Sequence, residues 1–162
     1  MRWDELKREK CSVARTISVI GDRWTLLILR DCFLRVRRFE EFERRLGITR
    51  HVLADRLRKL VAAGVLERRL YQARPRRYEY RLTPKGRELH PVLLTIAHWG
   101  DRHMAGAKGP PVLYEHRACG HDFAPVLTCS ACAERLDARD VRVRRGPGGA
   151  RDDYVVARSA SA

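Results

Sequence analysis

The chain of 162 residues contains no run of about 18 apolar residues, so no segment is read as crossing a membrane. Its start, MRWDELKREK, lacks the apolar stretch of a signal peptide, and the expected location is the cytoplasm. Cysteine is scarce, at five, and in a chain with no secretion signal that argues against a disulfide framework. There is no P-loop, no G-x-G-x-x-G after a strand and no H-E-x-x-H. His90, His98 and His103 are spaced 8 and 5 apart, which does not place two together on one helical face as a metal pair needs. These absences leave no enzyme to be read from the chain. Acid is also short: 34 Lys and Arg stand against 20 Asp and Glu, a net +14. Residues 1–109 hold 26 of those bases and 13 of the acids, so the front carries +13 and the remainder +1. Such one-sided charge draws an anionic partner. The bland reading is a solvated, arginine-rich surface.

Periodicity organises that basic front. Ser12 can cap a first helix with Val13, Ile17 and Ile20 on one stripe. Asp22 is the expected N-cap of a second helix, apolar almost all round from Leu26 to Leu29 and therefore central. In RRFEEFERRLG, Phe39, Phe42 and Leu46 share a face and Gly47 supplies a left-handed stop. Thr49 then opens a helix burying Leu53, Leu57, Leu60 and Val61, ended by Gly64. Two short helices joined by such a turn make a helix-turn-helix. Its second helix starts with a polar cap followed by Arg50 and His51, an end suited to phosphates and base edges.

After Gly64 the period becomes two. Leu66 and Leu70, then Tyr78, Tyr80 and Leu82, alternate with charges around YQARPRR. This predicts a β-hairpin wing tipped by Arg74, Arg76 and Arg77. A helix capped by Thr83, with Pro84 at its first position, is expected to run past a kink at Pro91. Its wide apolar face (Leu89, Val92, Leu93, Ile96) wants a partner, and a second copy of the chain is the obvious one. AGAKGPP, residues 105–111, reads as a linker. The expected fold is mainly α with a small β-hairpin wing, a winged helix-turn-helix at 8–106. A small zinc-ribbon-like module at 112–142 and a disordered tail at 145–162 follow it.

In the tail, HRACGHDFAPVLTCSAC places nine residues between His116-x2-Cys119 and Cys129-x2-Cys132. Four N and S ligands in two such pairs suit tetrahedral Zn²⁺ in a structural site, with His121 as a substitute for His116. About 30 residues hold too little core to fold alone, so a metal would supply the missing stability.

CSVARTISVIGDRWTLLILRDCFL, RRFEEFERRLGITRHVLADRLRKLVAAGVLER and RRYEYRLTPKGREL closely resemble the HxlR family of bacterial transcription regulators. That family is a winged helix-turn-helix group similar in architecture to MarR proteins. The resemblance covers about residues 8–104. It implies a homodimer built from terminal helices, with two recognition helices in successive major grooves, acting on nearby genes. The family does not require the tail.

The expected reading is a homodimeric, sequence-specific DNA-binding regulator, a repressor, on a pseudo-palindromic operator. Thr49, Arg50 and His51 are assigned to the groove, and Arg58 to a nearby phosphate. Arg56 is assigned to DNA too, against pairing with an internal acid. Arg74, Arg76 and Arg77 are assigned to the backbone, as are Arg37 and Arg38, whose bland reading is solvation. Two alternatives are a redox regulator acting through Cys11 and a zinc-dependent interaction module without sequence preference. Cys11 lies near a helix start beside Arg8 and Lys10, which favours a reactive thiol. Cys32 is read as inert core. Trp24 and Trp99 are weighed as walls for a small-molecule effector of unknown identity, against plain packing.

Overall fold

A computed structural model describes residues 3–148. Of the expected disordered tail, residues 149–162 lie outside the described residues. The chain divides into two compact units: Thr16–Pro125, and a second holding the described residues up to Arg15 and from Val126 onward. The division falls inside the expected 112–142 module.

In chain order the elements are α1 (Trp3–Leu6), α2 (Ser12–Ile20), α3 (Arg23–Phe33), α4 (Phe39–Leu46), α5 (Arg50–Ala62), β1 (Leu66–Gln72) and β2 (Arg77–Leu82). They continue with α6 (Pro84–Arg87), α7 (His90–Met104), a 3-10 turn at Gly106–Lys108, β3 (Glu115–His116) and β4 (His121–Asp122). The mainly helical reading with one hairpin wing holds.

In the larger unit the core forms where α3, α4 and α5 meet. Ile28, Leu29, Phe42, Leu53 and Leu57 are wholly shielded from water. Each such side chain contributes roughly 1.5–3 kcal/mol by burial. Asp22 caps α3 as expected: its Oδ1 accepts the Trp24 and Thr25 N–H groups at 3.0 and 3.2 Å. The face of α3 is not wholly apolar, however. Asp31 is fully buried in it, with Arg30 at 2.9 Å and Arg45 of α4 at 3.1 Å. A buried carboxylate is tolerated because both partners satisfy it. Gly47 takes φ +61 and closes α4, as its position predicts.

β1 and β2 pair antiparallel from Leu66↔Leu82 to Gln72↔Arg77, with an irregularity between Leu70 and Gln72. Only the root of this hairpin is buried. Leu66 is in the core, but Leu70 is 52% exposed, because the strands have left the body by that point. The helix expected from Thr83 through Pro91 is two helices. Pro91 lacks the N–H that a continuous helix would need and lies in the first turn of α7, so the chain breaks at Glu88–Leu89 rather than kinking.

Candidate nucleic-acid interface

α5 presents two faces. Leu53, Leu57 and Leu60 are buried, while Thr49, Arg50, His51, Arg58 and Lys59 are exposed. Thr49 occupies the N-cap position with extended backbone, yet its side chain makes no cap hydrogen bond. The first turn of α5 contains no acid. Its opening N–H groups and adjacent cations therefore face outward together, the arrangement that favours an anion.

The cations of α5 differ in how they are held. Arg50 Nη1 lies 2.8 Å from Glu43 of α4, and its guanidinium covers the Phe39 ring at 5.0 Å. Arg56 points inward instead. Its Nε and Nη2 bind the two oxygens of Asp22 at 2.8 and 3.1 Å, and its Nη1 reaches Asp55 at 2.6 Å. That is the internal acid pairing weighed against DNA contact. Arg58 and Lys59 share Asp55 from the outer side. The Lys59 hydrogen bond holds the Asp55 carboxyl below its ordinary value, against a smaller effect of burial.

The wing supplies the second cationic surface. Residues 73–76 form its turn, with Arg74, Arg76 and Arg77 all exposed. Arg68 lies 3.5 Å from the centre of the Tyr78 ring. Its hydrogen bond to the phenol, with Arg76 adding charge, holds Tyr78 below its ordinary pKa. Arg37 and Arg38 join this surface to α4. The Arg37 carbonyl accepts the Tyr80 N–H at 2.8 Å, and Arg38 bridges to Glu79. The Arg38 guanidinium sits 4.9 Å from the Tyr71 ring, and Glu41 accepts the Arg38 N–H at 3.2 Å. Glu43, Tyr71 and Arg68 were not singled out in the sequence, and Phe39 was read only as part of the buried face of its helix. The i, i+4 spacing of Phe39 and Glu43 on one helix face was a signal for them.

In the tail, each expected ligand pair forms by itself. His116 Nδ1 and Cys119 Sγ are 3.3 Å apart, in a turn where Cys119 and Gly120 donate N–H groups to the His116 carbonyl. His121 stands opposite His116 in the β3–β4 register. The Cys132 thiol donates toward a Glu134 carboxylate oxygen at 3.9 Å, and the nearby backbone N–H groups of Ala131 and Cys132 hold the Cys129 thiol below its ordinary pKa. Among the described residues no group of three or more His, Cys, Asp or Glu is gathered around one point. Cys11 is half-buried just before α2 and forms no disulfide. Cys32 is buried, and burial together with the nearby Asp31 charge pushes its thiol up to about 12. Trp24 packs against the core, whereas Trp99 is 61% exposed and meets the His103 ring at a tilt of 47°. No helix among the described residues is long and apolar enough to cross a membrane.

Comparison with known proteins agrees with this geometry. The model of the HxlR-like helix-turn-helix family matches residues 19–108. Rv3095 of Mycobacterium tuberculosis, an uncharacterised HTH-type transcriptional regulator, is 44% identical over 137 residues, 85% of this chain and 87% of its own. The crystal structure of PA1607, described as a candidate transcription factor, superposes with a TM-score of 0.80 at 37% identity, covering 88% of this chain and 99% of its own. The reduced redox regulator HypR gives a TM-score of 0.54 at 35% identity, over 59% of this chain and 97% of its own. A capped core helix, a cation-faced second helix and an arginine-tipped hairpin occur here in one matched segment, and with them the chain belongs to the HxlR family of helix-turn-helix, DNA-binding transcription regulators.

Proposed function

We propose that the protein is a homodimeric repressor that recognises a pseudo-palindromic operator through α5 and the wing. The observation that carries this is the outward set of Thr49, Arg50, His51 and Arg58 on a helix whose other face is locked into the core. Arg74, Arg76, Arg77, Arg37 and Arg38 grip the flanking backbone. With Arg56 taken up by Asp22 and Asp55, it acts on DNA only by holding α5 in place. Self-association is supported by α7, none of whose residues is buried. Val92, Ile96 and Trp99 form an exposed stripe along it. Two-fold symmetry sets half-sites about 10 bp apart or a multiple of that. A dimer meeting about 8–12 phosphates gives a slope of log affinity on log salt of roughly −7 to −11. A footprint on the DNA flanking its own gene tests the reading. Two protected regions about one turn apart support it, and uniform protection of any DNA rejects it.

The likeness to a redox regulator favours a second mode, in which oxidation of Cys11 alters operator affinity. Equal responses to oxidant by wild type and Cys11→Ser remove it. We also propose that the tail takes one structural Zn²⁺ through His116, Cys119, Cys129 and Cys132. The ligand spacing supports this, and so do the turns formed around each pair. A further support is the tail's want of a core: every described residue from Ser130 to Gly148 is exposed. A small-molecule effector has room in a cavity of about 330 Å³ beside α3 and the wing, where Phe33, Val36 and Tyr80 meet charged groups such as Arg37, Glu67 and Arg81, though neither Trp24 nor Trp99 lines it.

A further inference from the structure

We infer that Glu43 and Arg50 form one unit that reads a guanine, with Glu43 the positioning residue. The inference rests on the proposed reading of α5 as the groove helix.

α5 starts against local preference. Arg50, beside His51, brings positive charge to its first turn, no acid is present there, and Thr49 provides no side-chain cap. By contrast, α3 begins under Asp22, and α4 carries Glu40 and Glu41 in its first turn. Cations at a helix N-terminus oppose the dipole. Such a departure from local rules in an otherwise regular domain marks a functional position.

Two groups on α4 offset the misplacement. The Glu43 carboxylate holds Arg50 Nη1 at 2.8 Å, and the Phe39 ring lies under the guanidinium at 5.0 Å. The Arg50 side chain nonetheless stays 66% exposed, and that of Glu43 is 30% exposed. One terminal nitrogen and one face are therefore fixed, while Nε and Nη2 make no hydrogen bond among the described residues. That free edge carries two parallel N–H groups in the planar fork of arginine. Guanine offers O6 and N7 at matching spacing in the major groove, and no other base presents two acceptors there. An arginine already held in one rotamer loses less freedom on making such a contact. A freely swinging arginine at the same place would settle on any phosphate.

Selection of bound duplexes from a randomised library tests this, using the full chain as wild type, Glu43→Gln, Arg50→Lys and Arg50→Ala. Wild type should enrich guanine at one position of each half-site. Glu43→Gln should lower that preference about tenfold, even while total affinity for random DNA rises through loss of a negative charge. Arg50→Lys should behave similarly, since a point charge cannot form the fork, and Arg50→Ala should abolish the preference. A wild type that selects guanine and a Glu43→Gln variant that selects it equally overturn the inference alone. A wild type that enriches no sequence overturns the groove reading and the inference with it.

Discussion

Arg56 closes on both carboxylate oxygens of Asp22, at 2.8 and 3.1 Å, across 34 positions of sequence. The same Asp22 oxygen that caps α3 thereby anchors the middle of α5. Burial alone would raise the Asp22 pKa, but the Arg56 hydrogen bond and the Thr25 and Trp24 N–H groups outweigh it and hold it below 3.8. A depressed carboxyl stabilises the fold above its unfolded value and loses that contribution as pH falls through its folded value. Urea unfolding midpoints should therefore drop between about pH 5 and 2. Asp22→Asn should flatten that drop while keeping an acceptor for the cap. Arg56→Met should cost about 1–3 kcal/mol at neutral pH. A variant as stable as wild type would show the clamp to be idle.

Asp31 offers a separate test, because its carboxylate is buried while its two arginines are half-exposed. Breaking a fully buried pair costs about 3–5 kcal/mol. Here Arg30 and Arg45 can turn to water, so we expect Asp31→Ala to cost about 2 kcal/mol, less than that range. Thermal unfolding of the variant measures it.

The wing arginines should act without regard to sequence. Arg76→Ala should weaken operator and unrelated duplexes alike and reduce the salt slope by about 1 per protomer. Fluorescence anisotropy at several salt concentrations checks this. A loss confined to the operator would put Arg76 at a base edge.

Purified protein should contain about one equivalent of zinc per chain by mass spectrometry. Cys132→Ser should lose it, and chelation should expose the tail to protease while the helical signal of the winged unit persists. Zinc-free protein with an unchanged digestion pattern would reject the tail site.

Introducing charge on α7 should separate protomers. Ile96→Glu lies on the exposed stripe and away from the core, so it should leave monomer stability within about 0.5 kcal/mol. Its sedimentation should nevertheless shift to the monomer, with loss of the steep salt dependence. A dimeric Ile96→Glu would move the interface elsewhere.

Local signals announced most of the frame. Asp22 and Gly47 mark helix ends because caps and left-handed stops depend on neighbouring residues alone. The 3.6 and 2 periods separate α5 from the hairpin for the same reason. Contacts closed by the fold were not legible. Asp31 reads as a polar interruption until Arg45 arrives from α4, and for Arg56 an internal acid could be weighed but not identified until Asp22 is beside it. Leu70 fits the alternation of a buried strand but leaves the body, since the extent of the core is not written in the strand itself. Glu43 reads as one acid among several on α4, and only the turn at Gly47 brings it to Arg50.

Gly86 sits so near the end of α5 that a Cβ there would collide with the Val65 carbonyl oxygen. Around it, Thr83 Oγ1 donates to the Gly64 carbonyl at 2.6 Å and Lys85 Nζ to the Ala63 carbonyl at 2.8 Å. The exit of α5, the root of the hairpin and the approach to α7 are thus welded at one joint with no slack. Any side chain larger than hydrogen at position 86 would therefore push the hairpin's root away from the end of α5.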